Sequence, residues 1–159
     1  MRLSLHSIAY AFSVVLLTAC ITDPHRCGTA QPTDPATESF ATSLDVDPAT
    51  MTRTANGVYL KDVVVGTGEA LTTPRSVELF YVAYLKDGTQ VDQRLDSPLT
   101  LDLRGNAAPG IVDGMIGMNV GGRRKLVVPS ELALGACGQG PIPPNSTLVY
   151  EIELVSLVP

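Results

Sequence analysis

The sequence predicts an antiparallel α+β domain in which five or six strands accompany one short helix. Apolar alternation with a period of two recurs in several segments, and only residues 109–118 show a plausible helical pattern. A length of 159 residues allows one such domain with appendages. Because 45% of the residues are apolar and only 5% are aromatic, we expect a mainly aliphatic core.

The strands are predicted from apolar runs that lie between turn signals. In residues 77–84, Val77, Leu79, Tyr81 and Ala83 share one face. Asp87 and Gly88 then predict a tight hairpin, because glycine tolerates a positive φ. The other predicted strands are residues 58–65, the segment around Leu99, Leu101 and Leu103, residues 123–128 and residues 148–158.

The single predicted helix covers residues 109–118. Pro109 suits its first turn, whereas Gly114 and Gly117 lower its intrinsic propensity. We therefore expect a short helix that is held by packing.

The amino terminus has the pattern of an export signal. Arg2 precedes the apolar run of residues 8–17, which is too short for a transmembrane helix of about 20 residues. The run ends in Leu17-Thr18-Ala19-Cys20, which resembles the lipobox of bacterial lipoproteins. We expect residues 1–19 to be a lipoprotein signal and Cys20 to carry the lipid. The alternative is a secretory signal in which Cys20 is incidental.

Three further segments follow the predicted signal. Residues 20–39 are rich in Thr, Pro, Asp and Ala, and we expect a flexible tether. Residues 40–56 contain scattered large apolar side chains and predict a lead-in arm that docks on the domain. Residues 57–159 form the predicted globular domain.

Charge and composition exclude several classes of function. The net charge of −5 leaves no basic surface for nucleic acid, and two His residues cannot form a multi-histidine metal site. The basic run of residues 123–125 is typical of a solvated face. Cys27 and Cys137 are expected to be free thiols, with a disulfide between them as the alternative.

Several motifs are collinear with a known family. Tyr81, Asp87-Gly88-Thr89 and Asp92 are followed by VGGRRKL at residues 120–126 and IPPNSTLVYEIEL at residues 142–154. Over residues 57–157 the order of these motifs resembles the FKBP-type peptidyl-prolyl isomerases, and the lead-in resembles their bacterial lipoprotein form. The resemblance implies an FKBP-like antiparallel sheet of five to six strands wrapped around one short helix, with the active pocket between them.

The resemblance also implies the reaction and the residues that carry it. Isomerisation twists an X-Pro bond against a barrier of about 18 to 20 kcal/mol, and it requires no nucleophile, metal or cofactor. A dry pocket favours the twisted, less polar amide over the planar one. Tyr81, Asp92 and Tyr150 match the catalytic positions of the family, and the backbone N–H of Ala108 matches a donor to the bound peptide.

The implied substrate-binding residues depart from the family in a consistent direction. Ile111 stands where the family usually has Trp, Val91 where it has Phe, and Leu134 where a loop Tyr donates to ligand. Hydrophobicity is kept while aromatic shape is lost, so we expect reduced activity. The complete substrate-binding set comprises Val91, Leu99, Ala107, Ala108, Ile111, Leu134 and Ile142.

Two functions of different class follow from these residues. The first is a monomeric prolyl isomerase, lipid-anchored to a membrane through Cys20 in the bacterial cell envelope and facing the periplasm or the exterior. Its partners would be proline-containing or unfolded polypeptides, and it would assist the folding of exported proteins. The second is a catalytically weak or inactive FKBP-fold module that binds unfolded chains.

Overall fold

A computed structural model describes residues 27–29, 31–105 and 107–158. The predicted signal of residues 1–19 and the predicted lipidation site at Cys20 lie outside these residues. The described chain contains one antiparallel sheet of six strands in the order β1-β2-β5-β6-β3-β4, which confirms the predicted fold class. The strands are β1 Thr52–Arg53, β2 Tyr59–Val64, β3 Ser76–Leu85, β4 Gln90–Asp102, β5 Arg123–Val128 and β6 Leu148–Leu157.

One α-helix, α1, spans Pro109–Met115 and packs against β5 on the inner face of the sheet. A Cβ atom at Gly114 would lie 2.6 Å from a methyl carbon of Leu126, so the absence of a side chain allows this close approach. The helix ends before the predicted Met118, because Gly117 has a φ of +83° and cannot continue a right-handed helix.

The core lies between α1 and the inner face of the sheet. Val77 and Leu79 of β3 are buried there, Tyr81 packs against the same core, and Ala83 is also buried, so the four residues share one face, as the alternation predicts. Other buried members of this cluster are Val58, Leu71, Leu103, Ile111, Met115, Met118, Leu126, Val128, Ile152 and Leu154.

An irregularity in the pairing of β3 with β4 shapes one edge of the sheet. Leu79 pairs with Leu99, but Tyr81 pairs with Arg94, so residues 95–98 form a bulge within the long edge strand. The hairpin that joins the two strands turns at Gly88, which has a φ of +89°, as predicted from Asp87 and Gly88.

The lead-in arm covers part of the outer face of the sheet. Leu44 is 4% exposed and packs with Tyr59, Val127 and Val149. Short 3-10 turns at Thr42–Leu44 and Pro48–Thr50 let the segment follow the sheet without extended pairing. The arm therefore docks on its own domain.

The expectation of a flexible tether is wrong for residues 31–39. Thr33 Oγ1 accepts a hydrogen bond from the Ser130 N–H at 2.8 Å, and Ser130 Oγ donates to the Gln31 carbonyl at 2.7 Å. Thr147 Oγ1 donates to Glu38 at 3.0 Å, and Pro35 is buried. Composition suggested a solvated segment, but its polar groups have partners about 100 residues away in the chain.

The prediction that residues 123–125 form a solvated basic face is also wrong. Arg124 and Lys125 are each 6% exposed, and only Arg123 faces solvent. Arg124 Nε lies 2.6 Å from Asp62 Oδ1 and its Nη1 donates to the carbonyl of Gly114, while Lys125 Nζ donates to the carbonyl of Leu44. These charges are buried because each has a partner on a neighbouring element.

Cys27 and Cys137 form a disulfide, contrary to the expectation of free thiols. Their Cα atoms are 4.7 Å apart although 110 positions separate them in the sequence. Docking of the following residues 31–38 on the domain places the two cysteines together, and sequence spacing did not show this. The described residues include no helix that is long and apolar enough to cross a membrane.

Candidate active site

A cleft of about 220 Å³ opens between α1, the inner face of the sheet and the loop that precedes β6. We call it the inner cleft. Its lining is mostly aliphatic, with a few polar groups at its walls, which is the usual character of a site for a small ligand or peptide. It brings together the predicted Tyr81, Asp92, Leu99, Ala107, Ala108, Ile111, Leu134, Ile142 and Tyr150.

Val91 does not line the inner cleft, contrary to its prediction as a substrate-binding residue. Ala83 pairs with Asp92 and Tyr84 pairs with Gln90, which leaves Val91 unpaired at a second bulge. Asp92 pairs with Ala83, which also lines the cleft, so the strand presents Asp92 to the cleft, whereas Val91 is the extra residue of the bulge.

Tyr81 and Asp92 meet on one wall of the cleft. Tyr81 Oη donates a hydrogen bond to Asp92 Oδ2 at 2.5 Å, and the N–H of Gln93 donates to Asp92 Oδ1 at 2.8 Å. Both carboxylate oxygens are therefore oriented. Burial, followed by the hydrogen bond to Asp92, raises the pKa of Tyr81 to about 12.

Tyr150 stands beside Tyr81 on the neighbouring strand. Their ring centroids are 6.5 Å apart and the ring planes are inclined by 51°. Burial, with the negative charge of Asp92 adding to it, raises the pKa of Tyr150 to about 12. Both phenols are thus neutral hydrogen-bond donors across the physiological range of pH.

The start of α1 forms the floor of the cleft. Ile111 is 8% exposed and Ala108 is the residue immediately before the helix. Ile111 N–H and Val112 N–H both donate to the carbonyl of Ala108, whereas the N–H of Ala108 donates to no other described residue. This arrangement leaves a backbone donor at the position where the resemblance placed one.

Five residues of the cleft were missed by the sequence predictions. Most lie two positions from Tyr81, Leu99 or Tyr150, which the family resemblance selected, so extending those choices along the same strand face with a period of two would have found them. Gln139 lies in a loop and had no such signal. The missed residues are Leu79, Ala83, Leu101, Gln139 and Ile152.

Comparison with known proteins decides the family. Residues 68–155 match the family described as "FKBP-type peptidyl-prolyl cis-trans isomerase". The chain belongs to this family. The FKBP match covers more than half of the chain and includes Tyr81 on β3, Asp92 on β4 and Tyr150 on β6.

Relatives within the FKBP family extend the comparison. The chain is 38% identical over 105 residues to an FK506-binding protein of Neisseria meningitidis serogroup B, which covers 64% of this chain and 96% of that protein. It is also 38% identical over 107 residues to the FKBP-type peptidyl-prolyl cis-trans isomerase FkpA of Escherichia coli, which covers 66% of this chain and 39% of FkpA.

Solved FKBP structures show the same fold. The crystal structure of FkpA from Escherichia coli is similar with a TM-score of 0.64 and 37% identity, over 69% of this chain and 52% of that one. A peptidyl-prolyl cis-trans isomerase of Pseudomonas syringae pv. tomato gives a TM-score of 0.65 and 31% identity, over 74% of this chain and 87% of that one.

Proposed function

We propose that this FKBP-type isomerase binds X-Pro segments of exported polypeptides in the inner cleft and accelerates their cis/trans isomerisation as they fold. The observation that carries the proposal is the convergence, at the walls of a mostly aliphatic cleft, of Tyr81, Asp92, Tyr150 and the N–H of Ala108, which donates to no other described residue. Proline-containing polypeptide is the substrate class of the family.

The cleft supports a mechanism without covalent chemistry. Its aliphatic lining receives the prolyl ring and excludes water, so a planar and well-hydrated amide loses more on entry than a twisted one. The N–H of Ala108 can hold a neighbouring carbonyl while the X-Pro bond rotates, and the phenol of Tyr150 supplies a second neutral donor. Each contact that strengthens on twisting lowers the barrier.

We expect a modest rate because the floor and the loop wall are aliphatic. Ile111 and Leu134 provide apolar area, but they lack the flat faces and the additional hydroxyl that aromatic residues give. The N–H of Ala108 and the phenol of Tyr150 must therefore orient the peptide with fewer additional contacts than an aromatic cleft would provide.

We further propose that the chain works in the cell envelope, tethered through a lipid on Cys20. The Leu17-Thr18-Ala19-Cys20 sequence supports lipidation. The Cys27–Cys137 disulfide supports an oxidising compartment, because structural disulfides are rare in the cytosol. A short link between Cys20 and Cys27 would hold the domain close to the membrane.

A binding role without catalysis is the second candidate, and the outer face of the sheet favours it. A groove of about 230 Å³ lies there, with Phe80 and Val82 among its lining residues. Val63 and Leu95, each 54% exposed, also line it. Charged side chains, among them Arg123, Glu151 and Glu153, share the lining, so the groove offers apolar and charged contacts to an unfolded chain.

The test measures isomerisation of a short X-Pro peptide by exchange spectroscopy, using protein produced from the full-length sequence and purified in detergent. We expect acceleration by the wild type and a loss in Asp92→Ala. A wild type that binds unfolded protein but leaves the isomerisation rate at its uncatalysed value would refute the catalytic proposal and support the binding module.

A further inference from the structure

Gln139 lies at the rim of the inner cleft and has no assigned role. It is exposed, and it comes from the loop that also supplies Leu134 and Ile142. Those two neighbours are apolar. Among the described residues of this loop that line the cleft, Gln139 is therefore the one whose side chain can form hydrogen bonds.

The other polar groups of the cleft are largely committed to one another. Both oxygens of Asp92 accept hydrogen bonds, and the hydroxyl of Tyr81 donates to one of them. The side-chain amide of Gln139, in contrast, makes no hydrogen bond to any described residue. Its NH₂ group and its carbonyl are therefore available to a peptide, together with the hydroxyl of Tyr150.

The backbone beneath Gln139 is firmly held. Its N–H donates to the Ile142 carbonyl and the Ile142 N–H donates back, both at 2.9 Å. The preceding Gly138 has a φ of +60° and lies so close to this bridge that a Cβ atom would be 2.3 Å from the Ile142 oxygen. One residue earlier, Cys137 is bonded to Cys27. The amide is thus presented from a fixed turn, which lowers the entropic cost of using it.

A peptide that enters an aliphatic cleft needs such a partner. The peptide groups beside the X-Pro bond lose water on binding, and an unpaired buried amide is costly. We propose that Gln139 is a substrate-binding residue whose side-chain amide binds a peptide group adjacent to the X-Pro bond. The assignment rests on the proposed isomerase function. It makes recognition depend on the peptide backbone, so side chains next to proline can vary.

The first test compares Gln139→Leu with Gln90→Leu, a matched change at an exposed glutamine of β4 outside the cleft. For the full-length protein in detergent, we expect Gln139→Leu to raise KM for an X-Pro peptide by about three- to tenfold. We expect kcat to stay within about twofold, since the contact binds ground state and transition state alike. Gln90→Leu should change neither constant.

The second test uses two peptides with an ester in place of an amide, one before residue X and one after proline. An ester removes the N–H and weakens the carbonyl as an acceptor. If Gln139 binds one of these groups, the ratio of KM between Gln139→Leu and the wild type should fall towards one on the ester that lacks that group. The assignment would be overturned if Gln139→Leu left KM unchanged, or if it raised KM equally for the amide peptide and both ester peptides. Either result, with an active wild type, would leave the isomerase function supported. A wild type without activity would instead overturn the proposed function.

Discussion

Tyr81 and Asp92 form a hydrogen-bonded pair across the β3–β4 wall of the cleft, with 2.5 Å between the phenol oxygen and Oδ2 of the carboxylate. The two groups lie on adjacent strands, where Tyr81 pairs with Arg94 and Asp92 pairs with Ala83, so the two side chains are diagonal neighbours. Because the tyrosine orients the carboxylate, we expect the two groups to act together in the proposed reaction. The pair is the unit to test.

Tyr81→Phe should lower kcat/KM by about three- to tenfold, since it removes one hydrogen bond to a charged group. Asp92→Ala should cost at least as much. In the double variant, the two losses should not add, because both changes break the same contact. Tyr84→Phe is the control, since Tyr84 packs on the outer face beneath the lead-in arm. Additive losses in peptide isomerisation would contradict the coupling.

The raised pKa values of Tyr81 and Tyr150 predict a loss of stability at high pH. Both pKa values are about 12 in the folded protein, whereas the ordinary value is 10.0. At a pH between these values, the folded state therefore binds more protons than the unfolded state. The free energy of unfolding should therefore fall as the pH rises through this range. Urea unfolding along a pH series measures it. Tyr150→Phe should make the decline shallower, and an equal slope in that variant would contradict the prediction.

The rate of isomerisation, in contrast to the stability, should not depend on tyrosine ionisation near neutral pH. Since both phenols remain protonated well above neutral pH, kcat/KM should show no tyrosine ionisation between about pH 7 and pH 9. A pH profile of the wild type, with Tyr81→Phe beside it, gives the measurement. A step in the wild-type profile that disappears in Tyr81→Phe would show that the phenol ionises earlier.

The alternation in residues 77–84 placed Val77, Leu79, Tyr81 and Ala83 on one face of β3, and the structure shows that this face enters the core. Because the other face carries Phe80, Val82 and Tyr84, the pattern alone did not decide which face is buried. It could not show that Val91 falls at a bulge, since a register shift depends on the partner strand. Arg124 shows the same limit. Its partner Asp62 lies on another strand, and nothing in the run Arg123-Arg124-Lys125 distinguishes the buried positions from the exposed one. The local pattern of apolar residues predicts strands and helices. The positions of bulges and of buried charged side chains depend instead on pairing between residues that are distant in the sequence.

Neighbouring arginines on β5 allow a matched test of that buried pair. Arg124→Met should lower the free energy of unfolding by about 3 kcal/mol, because it leaves Asp62 and two carbonyls near the end of α1 without their donor. Arg123→Met changes the same residue type at an exposed position and should stay within about 0.5 kcal/mol. Denaturant unfolding measures both. Equal effects would show that Arg124 is not selectively important.

The Cys27–Cys137 disulfide should stabilise the domain. It closes a loop with a separation of 110 positions, so replacing both cysteines by Ser should lower the free energy of unfolding by about 2 to 5 kcal/mol. Reductant should lower the stability of the wild type by a similar amount and leave the Ser variant unchanged. Urea unfolding with and without reductant tests this. A wild type that is insensitive to reductant, with two free thiols by mass spectrometry, would contradict the bridge.

The proposed lipidation at Cys20 predicts where the protein resides in a bacterial cell. With its thiol acylated and the chain cut before it, the protein should sediment with membranes and enter the detergent phase on partitioning. Cys20→Ser should abolish the lipid mass on the amino-terminal peptide and shift the protein out of the membrane fraction. Cys137→Ser is the control, because it replaces a disulfide-bonded cysteine outside the predicted signal and should leave the anchor in place. A wild type that is cleaved at another residue and recovered without lipid would show that the segment is an ordinary secretory signal. The isomerase would then act as a freely diffusing enzyme, and its clients would not be restricted to chains near a membrane.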